Sequence, residues 1–308
     1  MTAYRIDPAH NVSAELRRIV IEQGSAAIEA VRSIDGDRNE SEVHRARRCC
    51  KKARAALRLA APLVGQAELK ATLAGVRDAS RALTTHRDAA VLVRTIVGLR
   101  EASPDETSSE FVDQIQLEVE GRRDDMAASA TDAEGVAGLI QLSLRRVRAW
   151  EGVGLSDVQI IERGLKRSSE RSALAFRSVG AGNEFTQPEV WHEWRKALKD
   201  VWYHSRLLEA AWPPVMEGLS QGLGRAAEDL GSAQDLSLLI ERLRAGRGTE
   251  WNPHGADVLV RLAEHRRAVL WRDARSVGAR LHAEAPARFA ARIARAWRVS
   301  AGGGAEQP

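Results

Sequence analysis

On a helical wheel, residues 41–60 separate cleanly into two faces. Ala46, Cys49, Ala53, Ala56, Leu57 and Ala60 share a small, apolar side that predicts burial, while His44, Arg47, Lys51, Arg54 and Arg58 fall within an arc of roughly 80°. Arg48 and Lys52 sit on the flank of that arc. Start and stop signals cut the whole chain into about a dozen such segments. Ser13 is expected to cap a helix to about Ile34, closed by a turn at Gly36–Asp37, and Ser41 to cap the next, to near Pro62. Helices then fit about 66–84, 87–100, 105–129 and 132–150, with Pro104 breaking the path. After a turn at 151–154, Ser156 opens a second series. A Gly-rich loop at 180–187 leads to Pro188 at a first-turn position, and that helix runs to about residue 211. Helices near 215–230 and 234–245 follow, then a loop with Gly246, Gly248 and Pro253, a long helix to about Glu284 and a last one over 286–298, and the Gly-rich tail 299–308 is expected to be disordered.

The second series reads as a copy of the first. His44, Arg47 and Lys51 recur 148 residues on as His192, Arg195 and Lys199. Asp88 recurs at Asp235, and the run Arg145–Trp150 recurs at Arg292–Trp297, each 147 residues on. Glu120 with Arg122 and Arg123 recurs 144 residues on as Glu264 with Arg266 and Arg267. The fold class predicted is all-α: two homologous helical bundles, 12–150 and 156–298, related by internal duplication and a pseudo-twofold axis, forming one domain over 1–298.

Composition agrees: the chain is rich in Ala, Leu, Arg and Glu and poor in the β-branched and aromatic runs that strands favour. Its 308 residues suffice for a sizeable core without disulfide staples. Cys49 and Cys50, the only cysteines, exclude a disulfide framework or a four-thiolate zinc site, fit a reducing cytoplasm, and lie on the apolar face as buried, inert groups. No apolar run is long enough to span a membrane, and the N-terminus lacks a signal-peptide pattern, so the chain is expected to start here and stay cytoplasmic.

The net charge of +4 says less than its distribution. Residues 43–65 hold seven bases and no acid, whereas 101–134 hold eleven acids and two bases. Like charges at i,i+3 and i,i+4 repel by a few tenths of a kcal/mol per pair, so a stripe of them needs a reason. A solvated face, or one neutralised by the acidic segment, would supply one. A second stripe, His192, Arg195, Lys196, Lys199, Tyr203 and Arg206, opposite Trp194, Ala197, Val201 and Leu208, favours a binding face for a polyanion instead. Guanidinium forks suit phosphate oxygens and lysine adds a mobile charge, while a leading histidine donates two hydrogen bonds when nearby phosphate raises its pKa. The first stripe lacks both the aromatic groups of a single-strand nucleic-acid binder and the Asn and Gln that read base edges.

These two motifs, with Asp88 and Asp235 in Leu83–Leu92 and Leu230–Leu239, resemble the CHAD family (conserved histidine α-helical domain) over roughly residues 12–298. The resemblance implies helical bundles whose basic helices line a central groove or pore, non-catalytic binding of inorganic polyphosphate, and association with polyphosphate granules and polyphosphate-metabolising enzymes. It assigns as ligands His44, Arg47, Lys51, Lys52, Arg54, Arg58, His192, Arg195, Lys196 and Lys199, followed by Tyr203, and the stripes themselves add Arg48 and Arg206. The repeat adds Arg122, Arg123, Arg266 and Arg267 as weaker candidates. Asp200 and Trp202 depart from the pattern, because the family carries bases there.

No cofactor, metal site or enzyme activity is expected. Cationic neighbours disfavour a dication at His44 or His192, no P-loop or H-E-x-x-H occurs, and His86-Arg87-Asp88 lacks the downstream Asn of a kinase loop, with Val93 in its place. The alternatives are a sequence-independent nucleic-acid binder and, behind it, a metal-dependent phosphatase. All eight tryptophans lie at or after residue 150; Trp150 and Trp297 are expected in equivalent core sites, and Trp191 and Trp202 beside the second stripe.

Overall fold

In a computed structural model, twelve α-helices and two single 3-10 turns make up the regular structure of the described residues, which are 4–34, 39–83, 88–107, 110–126, 132–150, 154–179, 187–248 and 250–302; the side chains at 39–40, 88–90, 111 and 120–126 lie outside the description. The first half runs α1 (Val12–Arg32), α2 (Asn39–Leu59), a turn at Ala61–Leu63, α3 (Gln66–Ala82), α4 (Asp88–Ala102), the single turn α5 (Pro104–Thr107), α6 (Glu110–Met126) and α7 (Ala133–Arg148). The second runs α8 (Asp157–Val179), α9 (Pro188–Leu207), a turn at Glu209–Ala211, α10 (Pro213–Ala245), α11 (Pro253–Leu281) and α12 (Pro286–Gly302). The all-helical fold is as the sequence predicts. The order long helix, stripe helix, 3-10 turn stands in both halves, and α7 closes back on α1 as α12 closes on α8.

Local chemistry explains most boundaries. Proline, pre-set for helical φ and lacking a donor the first turn would waste, opens α5, α9, α10, α11 and α12. Asn11, not Ser13, caps α1: its side-chain oxygen accepts from the Ser13 and Ala14 amides. Ser41 is likewise no cap, since α2 begins two residues earlier. Ser156 does cap α8, with Gln159 answering from N3.

Two segments differ more. Residues 213–245 form one helix, not two, despite Gly218, Gly222, Gly224 and Gly231. Each glycine costs about 1 kcal/mol of helix propensity, and packing on α9 offsets it at two of them. A Cβ at Gly231 would stand 2.9 Å from Arg195 Nη2, and one at Gly224 would stand 3.1 Å from Trp202 Nε1, so the bare backbone lets α9 approach. At the other end, α12 runs on to Gly302, and Ser300 Oγ donates to the Ala211 carbonyl, so 299–302 are ordered rather than part of a loose tail. The expected turn at 36–37, the 180–186 loop, His86, Arg87 and the seam at 151–153 lie outside the described residues.

The core joins both halves. Cys49 and Cys50 are buried, with burial pushing the Cys50 thiol to about 12, and Trp150 and Trp297 are both buried. Trp191 stacks on Trp271 with ring centroids 4.8 Å apart, worth about 1 kcal/mol beyond its area. The helix contacts close a ring: α2 touches α3, the chain continues into α4, α4 touches α10, α10 touches α9, and α9 returns to α2.

Candidate functional site

The two stripe helices meet at their C-terminal halves. His204 Nε2 donates to the Ala55 carbonyl at 2.8 Å, Arg58 pairs with Asp200 at 2.6 Å, and Arg206 and Lys52 lie over the ring of Tyr4 at 5.7 and 5.0 Å. Rising residue numbers on α2 thus match falling numbers on α9, and the joint is antiparallel. His44 and His192 sit at its far ends, roughly 16 and 18 Å along their own helices from the Ala55–His204 contact by the 1.5 Å rise. They do not converge on one point.

The stripes face the ring formed with α3, α4 and α10. Arg47 donates to the Leu83 carbonyl at the end of α3, Arg54 feels Arg77 of α3, and Arg195 reaches the Ala227 carbonyl on α10.

Lys52, Arg48 and Arg206 gather at one corner of the joint around Tyr203, and none pairs with a carboxylate among the described residues. Burial first, then Arg206, holds the Lys52 ammonium below its usual pKa. Tyr4 donates its hydroxyl to the Lys52 carbonyl and meets Tyr203 edge-on, while Trp202 lies beneath Arg206 and Lys199 at 5.5 and 5.8 Å. Aromatic groups therefore line this corner: Tyr203 and Trp202 of the second stripe helix, and Tyr4, which the stripe pattern alone did not show. Tyr203, expected on the ligand-facing stripe, is only 5% exposed and forms part of the wall of this corner.

At the opposite corner Asp200, 4% exposed, binds Arg58 from α2 and Arg171 from α8. Arg58, expected to face the ligand, is thereby committed to the protein's own carboxylate. Arg54 beside it has no carboxylate partner among the described residues; burial, then Arg58, brings its pKa down to about 10. Arg171 likewise falls to about 10 by burial, with Arg58 and Arg54 adding repulsion. Nothing in the sequence pointed to Arg171 or Tyr4, since both reach the joint from other segments.

His192 lies apart, in a cleft of about 490 Å³ between α9, α10 and α11 with Gln234, Ser237 and Arg267. Burial, with Lys196 and Arg195, holds its imidazole below the ordinary value, so near pH 7 it is neutral unless an anion draws a proton to it. Arg267 donates to Ser237 Oγ at 3.2 Å and stacks on Trp271, and Arg266 is exposed near Asp229; neither joins the α2–α9 joint. Lys196 is exposed and salt-bridged to Glu193 at 2.7 Å. The side chains of Arg122 and Arg123 lie outside the description. No group of three His, Cys, Asp or Glu side chains could hold a metal ion among the described residues, and no helix among them is long and apolar enough to cross a membrane.

The family model for the CHAD domain matches residues 20–244. Among solved structures, PptA from Streptomyces chartreusis is 14% identical with a TM-score of 0.64, over 89% of this chain and 100% of that one. The CHAD domain from the plant Ricinus communis is 14% identical with a TM-score of 0.62, over 91% and 94%. At that identity the likeness is one of fold. No curated protein matches.

Proposed function

Because the chain belongs to the CHAD family, we propose that it binds inorganic polyphosphate inside the basic ring, without acting on it chemically, and serves polyphosphate granules and polyphosphate-metabolising enzymes in the cytoplasm. The observation that carries this reading is the corner made by Arg48, Lys52 and Arg206: three cations from two helices, Lys52 and Arg206 half-buried and Arg48 exposed, none ion-paired to a carboxylate of the protein among the described residues. Assembling like charges costs free energy that a bound polyanion returns. Arg47, Lys51, Lys199 and Arg195 continue the two stripes outward from the joint, and a linear row of phosphates satisfies such a row of donors, one or two side chains per group.

The rings of Tyr4 and Trp202 favour a second reading, a single-stranded nucleic acid, because bases stack on such groups. Against it, these rings already carry Lys52, Lys199 and Arg206. A competition titration decides. Unlabelled polyphosphate should displace labelled polyphosphate far better than single-stranded RNA or duplex DNA at equal phosphate, with affinity falling steeply as salt rises. Equal displacement by RNA would replace the first reading with the second. Steady release of orthophosphate from polyphosphate with Mg²⁺ or Mn²⁺ would overturn the non-catalytic role.

A further inference from the structure

Three guanidinium groups, Arg54, Arg58 and Arg171, come together from α2 and α8, and one carboxylate answers them. Asp200 accepts from Arg58 Nη1 at 2.6 Å and from Arg171 Nη2 with its other oxygen, while Arg171 also reaches the Lys196 carbonyl at 3.5 Å. Both carboxylate oxygens are used and the group is sealed from water. Arg54 makes no hydrogen bond or ion pair with it; Arg58 and Arg77 repel Arg54, and Arg77 is engaged with Asp78 at 2.9 Å. Glu193, the other acid felt by Arg171, is bound to Lys196. Asp200 thus stands where an external anion would otherwise sit, presenting two oxygens to two forks as a phosphoryl group does.

We propose that Asp200 is a built-in competitor of the phosphate chain: by holding Arg58 and Arg171 it shortens the ligand-binding surface at the joint, and neutralising it opens a three-guanidinium phosphate site completed by Arg54. This makes Asp200 a specificity-determining residue, since it sets how many consecutive phosphates the ring grips and therefore the shortest chain bound well. The inference rests on the polyphosphate reading for its biological ligand, but the site it predicts is testable with any short condensed phosphate.

The experiment is calorimetric titration of tripolyphosphate into the full-length protein and its variants at one fixed salt concentration. Asp200→Asn keeps the shape and one acceptor while removing the charge. It should bind tripolyphosphate about tenfold more tightly than the wild type, the scale of one added charge-assisted contact. The double variant Asp200→Asn/Arg171→Gln should lose that gain. In the wild-type background Arg171→Gln should change affinity by less than about twofold, because Arg171 is already committed to Asp200. A folded Asp200→Asn protein with unchanged affinity overturns the proposal while leaving polyphosphate binding intact. A gain in Asp200→Asn with no long-chain binding by the wild type does the reverse. Should Asp200→Asn fail to fold, Arg171→Gln alone still decides: a loss of about fivefold or more would show Arg171 already on the ligand and overturn the proposal, and no loss would support it.

Discussion

Two corners of the α2–α9 joint occupy corresponding places in sequence, 148 residues apart, and carry opposite chemistry. Lys52 of α2 stands where Asp200 stands in α9, and Arg58 where Arg206 stands. At one corner the pairing is Arg58 with Asp200, an ion pair sealed at 2.6 Å and reinforced by Arg171. At the other it is Arg206 with Lys52, two cations that repel across Tyr4 and Tyr203. One exchange of sign therefore separates a corner that closes on itself from one that calls for a counter-ion. A basic stripe is not uniformly a binding surface; what each cation faces across the joint decides its part.

The largest effect expected is on binding, and it breaks the comparison if absent. Lys52→Gln/Arg206→Gln should weaken long-chain polyphosphate by about 3–6 kcal/mol, taking about 1.5–3 per charged hydrogen bond lost. Arg58→Gln should weaken it by less than about 0.5 kcal/mol, because Arg58 is spent on Asp200. Equal losses in the two variants, measured by fluorescence competition, would make the corners equivalent and end the distinction.

Stability should show the opposite bias. Asp200→Ala strands Arg58, Arg171 and Arg54 together with no carboxylate, a loss of about 3 kcal/mol by analogy with other buried pairs robbed of one partner. Lys52→Ala removes a repulsion along with its packing and should cost less than about 1 kcal/mol. Urea midpoints at constant m-value check both. A Lys52→Ala loss as large as that of Asp200→Ala would mean that the Lys52 corner is structural too.

How much of this was legible beforehand follows from the range of the interactions. The helix of the first stripe was legible to within about three residues at each end, because its apolar and basic faces are written locally in the i, i+3, i+4 order. Proline placed the starts of α9 and α12 for the same reason, whereas Pro104, Pro213 and Pro253 open helices that the pattern did not start there. Continuity of α10 was not legible: the expected break fell at Gly231, and the passage of Arg195 and Trp202 against Gly231 and Gly224 explains two of its glycines. In the site, the candidate cations came from spacing, yet spacing assigned Arg58 to the ligand and could not see Arg171 arriving from α8 or Tyr4 from the N-terminal segment. Asp200 stood out only as a departure from the family's pattern; its two partners, 142 and 29 residues away, give the departure a physical role.

A smaller effect tests whether the joint itself is rigid through neutral pH. His204 is fully buried between the two corners, and its pKa is lowered to about 4 by burial, with Arg58 and Arg171 opposing the raising influence of the Ala55 carbonyl. The unfolded chain has this histidine near 6.5, so between about 6.5 and 4 the unfolded state binds the extra proton. Stability from this group is complete above about 6.5 and lost as pH falls, at up to about 1.4 kcal/mol per pH unit. His282, also lowered to about 4, contributes a second, separate slope. His204→Gln should therefore flatten, without abolishing, the fall in urea midpoint between pH 6.5 and 4; an unchanged slope would mean His204 takes up no proton on unfolding.

The smallest effect sharpens the role of the aromatic wall at the Lys52 corner. Tyr4→Phe removes one hydroxyl that donates to the Lys52 carbonyl at 3.0 Å and keeps the ring beneath Lys52 and Arg206. If the ring holds the two cations in place, polyphosphate affinity should stay within about 0.5 kcal/mol of the wild type while stability drops by about 1 kcal/mol, the net worth of one hydrogen bond. Tyr4→Ala, which removes the ring as well, should then cost affinity, because Lys52 and Arg206 lose the surface that pre-orients them and must be ordered by the ligand. Equal affinity in Tyr4→Ala and Tyr4→Phe would reduce the ring to packing and leave the corner's selectivity to its charges alone.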